Sequence, residues 1–275
     1  MAVMKQPIRL VALDLDGTIL DEQKKIHEQT IAVIQKVRER GIRVTLATGR
    51  PLVSTIPFAD QLGLDTPLIT YNGALLSLYP QGDVIEKIPM PMKSAGKLLA
   101  ELEDAEFYVK VYAEDTLYVE ETTRTTIDFS KRFLIPFVAV GRHQLRNLAK
   151  SPLKIVVIER SNRIEEVWRL LEPWQEHFMI QRDGEYGVEI THKTANKGIA
   201  LAKLCAFLDI SLSHVMAVGN EGNDLTMIRA AGLGVAMGNA CAELKKIADI
   251  VTKTNEDLGV AYVLKKYILR ADCEF

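Results

Sequence analysis

The chain has 275 residues, of which 48% are hydrophobic and 25% charged, and a formal charge of −2 at pH 7. That is enough apolar material for one large domain or two modest ones, and the balance of charge excludes a broad basic face for a nucleic-acid backbone. No stretch approaches the roughly 20 apolar residues of a bilayer span, and residues 8–13 are too short a run for a signal-peptide core, so a soluble cytoplasmic protein is expected.

Strand-like and helix-like patterns alternate at the start in the order of a parallel sheet with crossover helices. Residues 8–13 read as a strand that runs into a turn at Asp16-Gly17. Residues 28–40 carry Ile31, Ile34 and Val37 at helical spacing and stop at Gly41, a suitable C-terminal cap. A second strand over 42–47 leads into Thr48-Gly49-Arg50, with Pro51 placed for the first turn of a helix. A third, over 67–71, ends in Asn72-Gly73. The same grammar returns late, with strands over 215–218, 234–237 and 250–252 and a helix over 224–231 closed by Gly232.

Between these parts, from about residue 86 to 190, the texture changes. Residues 108–119 are aromatic and β-rich, 153–158 read as a strand and 163–171 as a helix. So long a stretch cannot be a structureless loop. The expected fold is α/β: a Rossmann-like parallel sheet core built from residues 1–86 and 191–275, with an inserted α+β cap domain over 87–190.

Four loops carry the chemistry. Asp14-Leu15-Asp16-Gly17-Thr18 puts two carboxylates one residue apart at the carboxyl end of the first strand, the edge where open α/β sheets bind ligands. A surface turn also favours Asp and Gly, but carboxylates this close repel unless a cation compensates, and hard oxygen ligands suit Mg2+. Thr48-Gly49-Arg50 joins a hydroxyl and a permissive glycine to a helix N-terminus, an anion-friendly corner. Lys197 opens a helix over 197–207 and is either a solvated residue or a point charge for a phosphate. The polar loop from Val218 to Asp224 holds Asn220 and Asn223, and its bland reading is an N-cap with Asp224 as the cap residue.

As a set, these motifs resemble the haloacid dehalogenase superfamily phosphatases of the Cof type, with the large class IIB α+β cap between the second and third motifs. The likeness covers nearly the whole chain. It rests on Asp14 to Thr18, Ala47-Thr48-Gly49-Arg50, Tyr71-Asn72-Gly73-Ala74, Asn196-Lys197-Gly198, Gly219 to Asp224, and Gly234 to Ala240 followed by Ala248-Asp249. The resemblance implies Mg2+-dependent hydrolysis of small phosphorylated metabolites, with sugar phosphates as the default substrates. Asp14 would be the nucleophile that forms an aspartyl-phosphate, and Asp16 the general acid and base. The backbone N–H groups of Leu15, Thr48, Gly49, Lys197 and Asn223 would hold the phosphoryl oxygens. Mg2+ would sit on Asp14, the Asp16 carbonyl and position 220, helped by Asp224. The family pattern has an aspartate where this chain has Asn220, a neutral ligand that should bind the metal less tightly.

Three other readings compete. A signalling receiver also groups acidic residues, a hydroxyl and a lysine at a sheet edge, but it is smaller and has no cap. A catalytically weak phosphometabolite-binding protein on the same fold is kept open by Asn220, and a phosphomutase would use the same phosphoaspartate. Of the three cysteines, Cys205 and Cys241 are expected in the core and Cys273 in the tail, all as reduced thiols. The five histidines show no metal spacing, Trp168 and Trp174 read as packing residues, and Arg124, Arg132, Arg142 and Arg146 as solvated surface. Oligomeric state leaves no mark on the sequence.

Overall fold

The computed structural model describes residues 6–159 and 162–270. They form two compact units. The first comprises the chain up to Gly49, Thr55–Glu86 and the chain from Asn196; the second comprises Arg50–Ser54 and Lys87–Ala195. The chain opens with β1 (Leu10–Leu13), α1 (Glu28–Glu39), β2 (Arg43–Leu46), α2 (Leu52–Gln61), β3 (Leu68–Thr70), β4 (Leu75–Ser77) and β5 (Val84–Lys87). There follow α3 (Met92–Asp104), β6 (Tyr108–Ala113), β7 (Thr116–Val119), α4 (Arg124–Phe133), β8 (Phe137–Ala139), β9 (Lys154–Ile158), α5 (Ile164–Leu171), β10 (Phe178–Asp183) and β11 (Gly187–His192). The first unit then resumes with α6 (Lys197–Phe207), β12 (Val215–Gly219), α7 (Leu225–Ala230), β13 (Leu233–Ala236), α8 (Ala242–Ile247), β14 (Ile250–Val251) and α9 (Gly259–Leu264).

The first unit is built on a five-stranded sheet ordered β14-β13-β12-β1-β2, parallel throughout. All four side chains of β1 are buried, as an apolar run must be in a parallel strand that is covered on both faces. Its register sets Leu13 beside Val218 and beside Leu46, so the loops after β1, β2 and β12 leave the same edge. The helix α1 buries Thr30, Val33, Ile34 and Val37, one face at 3.6-residue spacing, and the His27 imidazole caps its N-terminus by accepting the Gln29 N–H at 3.2 Å.

The third strand forms where it is expected and meets β2 in parallel, but it also gains an antiparallel partner. β3 pairs antiparallel with β4 in a small sheet shared with β5, and meets the main sheet through one bridge between Ala47 and Ile69. The cause is local: Tyr71 and Asn72 take φ of 51° and 55°, which turns the chain back onto β3. The helix expected over 224–231 is also shorter, because Gly222–Asp224 forms a tight turn and α7 begins at Leu225.

The second unit has its own sheet, ordered β10-β11-β9-β6-β7-β8, antiparallel except for β7 and β8. Val109, Val111, Ile155, Val157, Val188 and Ile190 alternate along three of its strands and form a core with Leu98, Leu99 and Leu102 of α3 and Val167 and Leu171 of α5. The boundary expected at residue 190 falls inside β11. That strand runs on to His192, paired with Phe178, and the unit extends to Ala195. Arg146 is not merely solvated: Glu103, 1% exposed, and Asp104 each bind it at 2.5 Å. Trp174 stacks on Phe178, centroids 5.8 Å apart, as a packing residue. Cys205 and Cys241 are free thiols, and Cys273 lies outside the described residues. Among the described residues no helix is long and apolar enough to cross a membrane.

Candidate active site

Asp14 follows β1 directly, and its N–H still donates to the Val218 carbonyl at 3.0 Å, so the nucleophile candidate is anchored by the sheet ladder. Its side chain is almost fully buried. The chain then turns tightly: the N–H groups of Thr18, Ile19 and Leu20 all donate to the Leu15 carbonyl at 3.0–3.2 Å, and Gly17 supplies the φ of 73° the turn requires. Asp16 points to the surface, where Lys24 pairs with it at 3.0 Å. Lys24 carried no sequence signal beyond a charge in a polar loop.

Lys197 is completely buried between two carboxylates, 2.7 Å from Asp14 Oδ1 and 2.6 Å from Asp224 Oδ1. Asn196 caps α6 by accepting the Ile199 N–H at 2.9 Å, which fixes the first turn that carries the lysine. Close backbone approaches hold that turn: a Cβ on Gly73 would lie 2.4 Å from the Asn196 carbonyl oxygen. Burial pushes the Asp14 carboxyl up to about 7, with Lys197 pulling down and Asp224 and Asp16 pushing further up. Burial also opposes the Lys197 charge, but Asp14 and Asp224 outweigh it and raise its pKa, so the ammonium stays protonated.

Asp224 does more than cap a helix. Its Oδ2 accepts the N–H of Asn220 at 2.7 Å and of Glu221 at 3.0 Å, and Oδ1 takes Lys197. Three of a carboxylate's roughly four acceptor positions are thus occupied, so the carboxylate orients the lysine and the loop and has one position left for a cation or its water. Thr48 needs a correction. Its N–H donates to the Ile69 carbonyl at 2.9 Å, which removes it from the donors expected for a phosphoryl group. Gly49 backs onto Asn72, where a Cβ would come within 3.0 Å of Oδ1. Asn72 Oδ1 accepts Asn223 Nδ2 at 2.9 Å, which ties the loop after β3 to the loop after β12. Asn239, within the Gly234 to Ala240 motif, and Asn255, not singled out by the sequence, brace the Asp14 loop at the carbonyls of Gly17 (2.8 Å) and Leu20 (3.0 Å).

Among the described residues no three His, Cys, Asp or Glu side chains form a metal-binding group. Carbonyl and amide oxygens also serve a hard cation, however. Asp14 Oδ2, the Asp16 carbonyl and Thr18 Oγ1 all lie 3.0–3.2 Å from one terminal atom of the Asn220 amide. Oxygens from the β1 loop and position 220 therefore converge, and this donor set fits Mg2+.

A family model described as haloacid dehalogenase-like hydrolase matches residues 11–264. The chain belongs to that family. Among curated relatives of this hydrolase, the 5-amino-6-(5-phospho-D-ribitylamino)uracil phosphatase YitU of Bacillus subtilis is 32% identical over 94% of this chain and 97% of its own. The pyridoxal phosphate phosphatase YbhA of Escherichia coli is 31% identical over 95% and 99%. A Thermotoga maritima crystal structure matches with a TM-score of 0.82 at 30% identity, covering 97% of this chain and 99% of that one. This hydrolase is accordingly a phosphatase, as its Cof-type motifs lead one to expect.

Proposed function

We propose that this phosphatase hydrolyses a small phosphorylated metabolite, with sugar phosphates as the first class to test, through an aspartyl-phosphate on Asp14 and with Mg2+ as cofactor. The observation that carries this reading is the buried Asp14 carboxyl at the carboxyl edge of the sheet, bound by Lys197 at 2.7 Å. Two of the relatives above are named for phosphate esters of small metabolites, which supports the substrate class.

A carboxylate oxygen of Asp14 attacks phosphorus in line as the ester oxygen departs with a proton from Asp16. Water then attacks the acyl-phosphate, Asp16 takes its proton, and phosphate and the free Asp14 carboxylate are regenerated. Lys197 holds the Asp14 carboxylate in one orientation and counters charge on the phosphoryl group. The N–H groups of Leu15, Gly49, Lys197 and Asn223 are the proposed phosphoryl donors. Asp14, the Asp16 carbonyl and Asn220 would hold Mg2+, with Asp224 acting through Lys197. When bound, the cation supplies the positive charge that keeps Asp14 ionised and offsets the transferring phosphoryl oxygens. Among the described residues, the free thiols of Cys205 and Cys241 support a reducing, cytoplasmic setting.

The test is a panel of phosphorylated metabolites assayed with Mg2+ and with chelator, using the wild type and Asp14→Asn. Turnover that needs Mg2+ and vanishes in Asp14→Asn is expected; more than a few per cent of activity in the variant overturns Asp14 as nucleophile. The neutral residue at position 220 favours a second reading, a weakly catalytic phosphometabolite-binding protein. Saturable binding without turnover would establish it.

A further inference from the structure

Asn220 is 6% exposed, so the atoms its amide faces decide its orientation. One terminal atom faces Asp14 Oδ2 at 3.2 Å, the Asp16 carbonyl oxygen at 3.0 Å and Thr18 Oγ1 at 3.1 Å. Were that atom oxygen, Thr18 alone could donate to it, and two further acceptors, one on a carboxylate, would point at an acceptor. As nitrogen it finds an acceptor in each of the three, its two hydrogens can serve the Asp14 carboxylate and the Asp16 carbonyl, and a hydrogen bond to a carboxylate is stronger than one between neutral partners. With no cation between them, these acceptors favour the nitrogen on the side of the Asp14 loop. Two of its acceptors, Asp14 and the Asp16 carbonyl, are the groups proposed above to hold Mg2+.

We propose that the Asn220 amide is a reversible stand-in for the cation: its nitrogen holds the Asp14 and Asp16 oxygens when the metal is away, and it turns over to offer Oδ1 when Mg2+ binds. The two orientations exchange an oxygen for a nitrogen of nearly the same size, so the turn needs no repacking. An aspartate at this position could not play both parts. Without metal it would add a third carboxylate to Asp14 and Asp224, which already share one lysine, and the folded state would come to depend on the ion. Asparagine gives a metal-free protein that stays assembled, in return for weaker and more readily reversed metal binding. The inference rests on the proposed metal site.

The experiment compares the wild type, Asn220→Asp and Asn220→Ala by thermal melting in EDTA and in saturating Mg2+, and by Mn2+ titration followed by electron paramagnetic resonance. In EDTA both variants are expected to melt below the wild type, by about 2–4 °C or more. Mg2+ should raise the Tm of Asn220→Asp much more than that of the wild type, which also shows that the variant folds. Mn2+ should bind Asn220→Asp about tenfold more tightly than the wild type, and Asn220→Ala more weakly. If Asn220→Asp is as stable as the wild type in EDTA, the nitrogen does not hold these oxygens; if Mn2+ binds all three proteins alike, position 220 does not meet the metal. Either result overturns the proposal. Failure of the phosphatase reading would instead appear as no phosphomonoester turnover by wild type in Mg2+, with the melting and Mn2+ results unaffected.

Discussion

Lys197 lies 183 residues from Asp14 and 27 from Asp224, yet it joins them in a cluster almost closed to solvent. Removing its charge leaves two buried carboxylates facing each other, a loss of about 3–5 kcal/mol for a broken buried pair. Lys197→Met is therefore expected to lower the Tm and abolish turnover. Lys197→Arg should not restore it, because the planar guanidinium does not fit a slot cut for a compact ammonium; melts and a phosphatase assay check both. Asp14 makes a prediction about pH. Its folded-state pKa of about 7 exceeds the 3.8 of an unperturbed carboxyl, so between those values the folded protein keeps a proton that the unfolded chain has lost. Stability from this group is full below about pH 4 and is lost as pH rises through about 7. In EDTA, Asp14→Asn should melt above the wild type at about pH 8, by a margin that shrinks towards about pH 5. A margin that does not change with pH would show that Asp14 does not titrate in this range.

At the scale of elements, backbone contacts decide which loop residues reach the site. Gly73 (φ 93°) closes the turn after β3 against the cap of α6, whereas Gly82 (φ 82°) has nothing within 4 Å of a built Cβ. Alanine at either position meets the left-handed backbone cost of about 1–2 kcal/mol. Only Gly73→Ala also drives a methyl into the Asn196 carbonyl and shifts the turn that carries Lys197. Turnover is expected to fall at least about tenfold in Gly73→Ala and to persist in Gly82→Ala, as steady-state kinetics on the two proteins would report. The strands and helices themselves were legible where the pattern was local, as in the apolar run of β1 and the buried face of α1. β3 was legible, but its hairpin partner β4 was not, because the return is set by successive left-handed residues at Tyr71 and Asn72, and a bulky tyrosine does not announce that conformation.

At the scale of the molecule, two separate cores imply two centres of stability. Phe178→Ala in the second unit should cost about 3–5 kcal/mol there, and hydrogen exchange should speed up in β9 and β11 while β1 and β12 keep their protection; uniform acceleration would mean the units unfold as one. By itself the sequence determined the parallel grammar, the interrupting α+β segment, and the set of motifs from Asp14-Leu15-Asp16 to Asn220–Asp224. These are written in short runs and fixed spacings, where one strand's alternation or one helix turn is the whole signal. The tertiary structure alone decided that the Thr48 N–H is spent on Ile69, that Asp224 binds Lys197 and the N–H groups of Asn220 and Glu221, and that the Asn220 amide faces Asp14. Each of these depends on the register between strands far apart in the chain, which places partners across distances that no local spacing encodes.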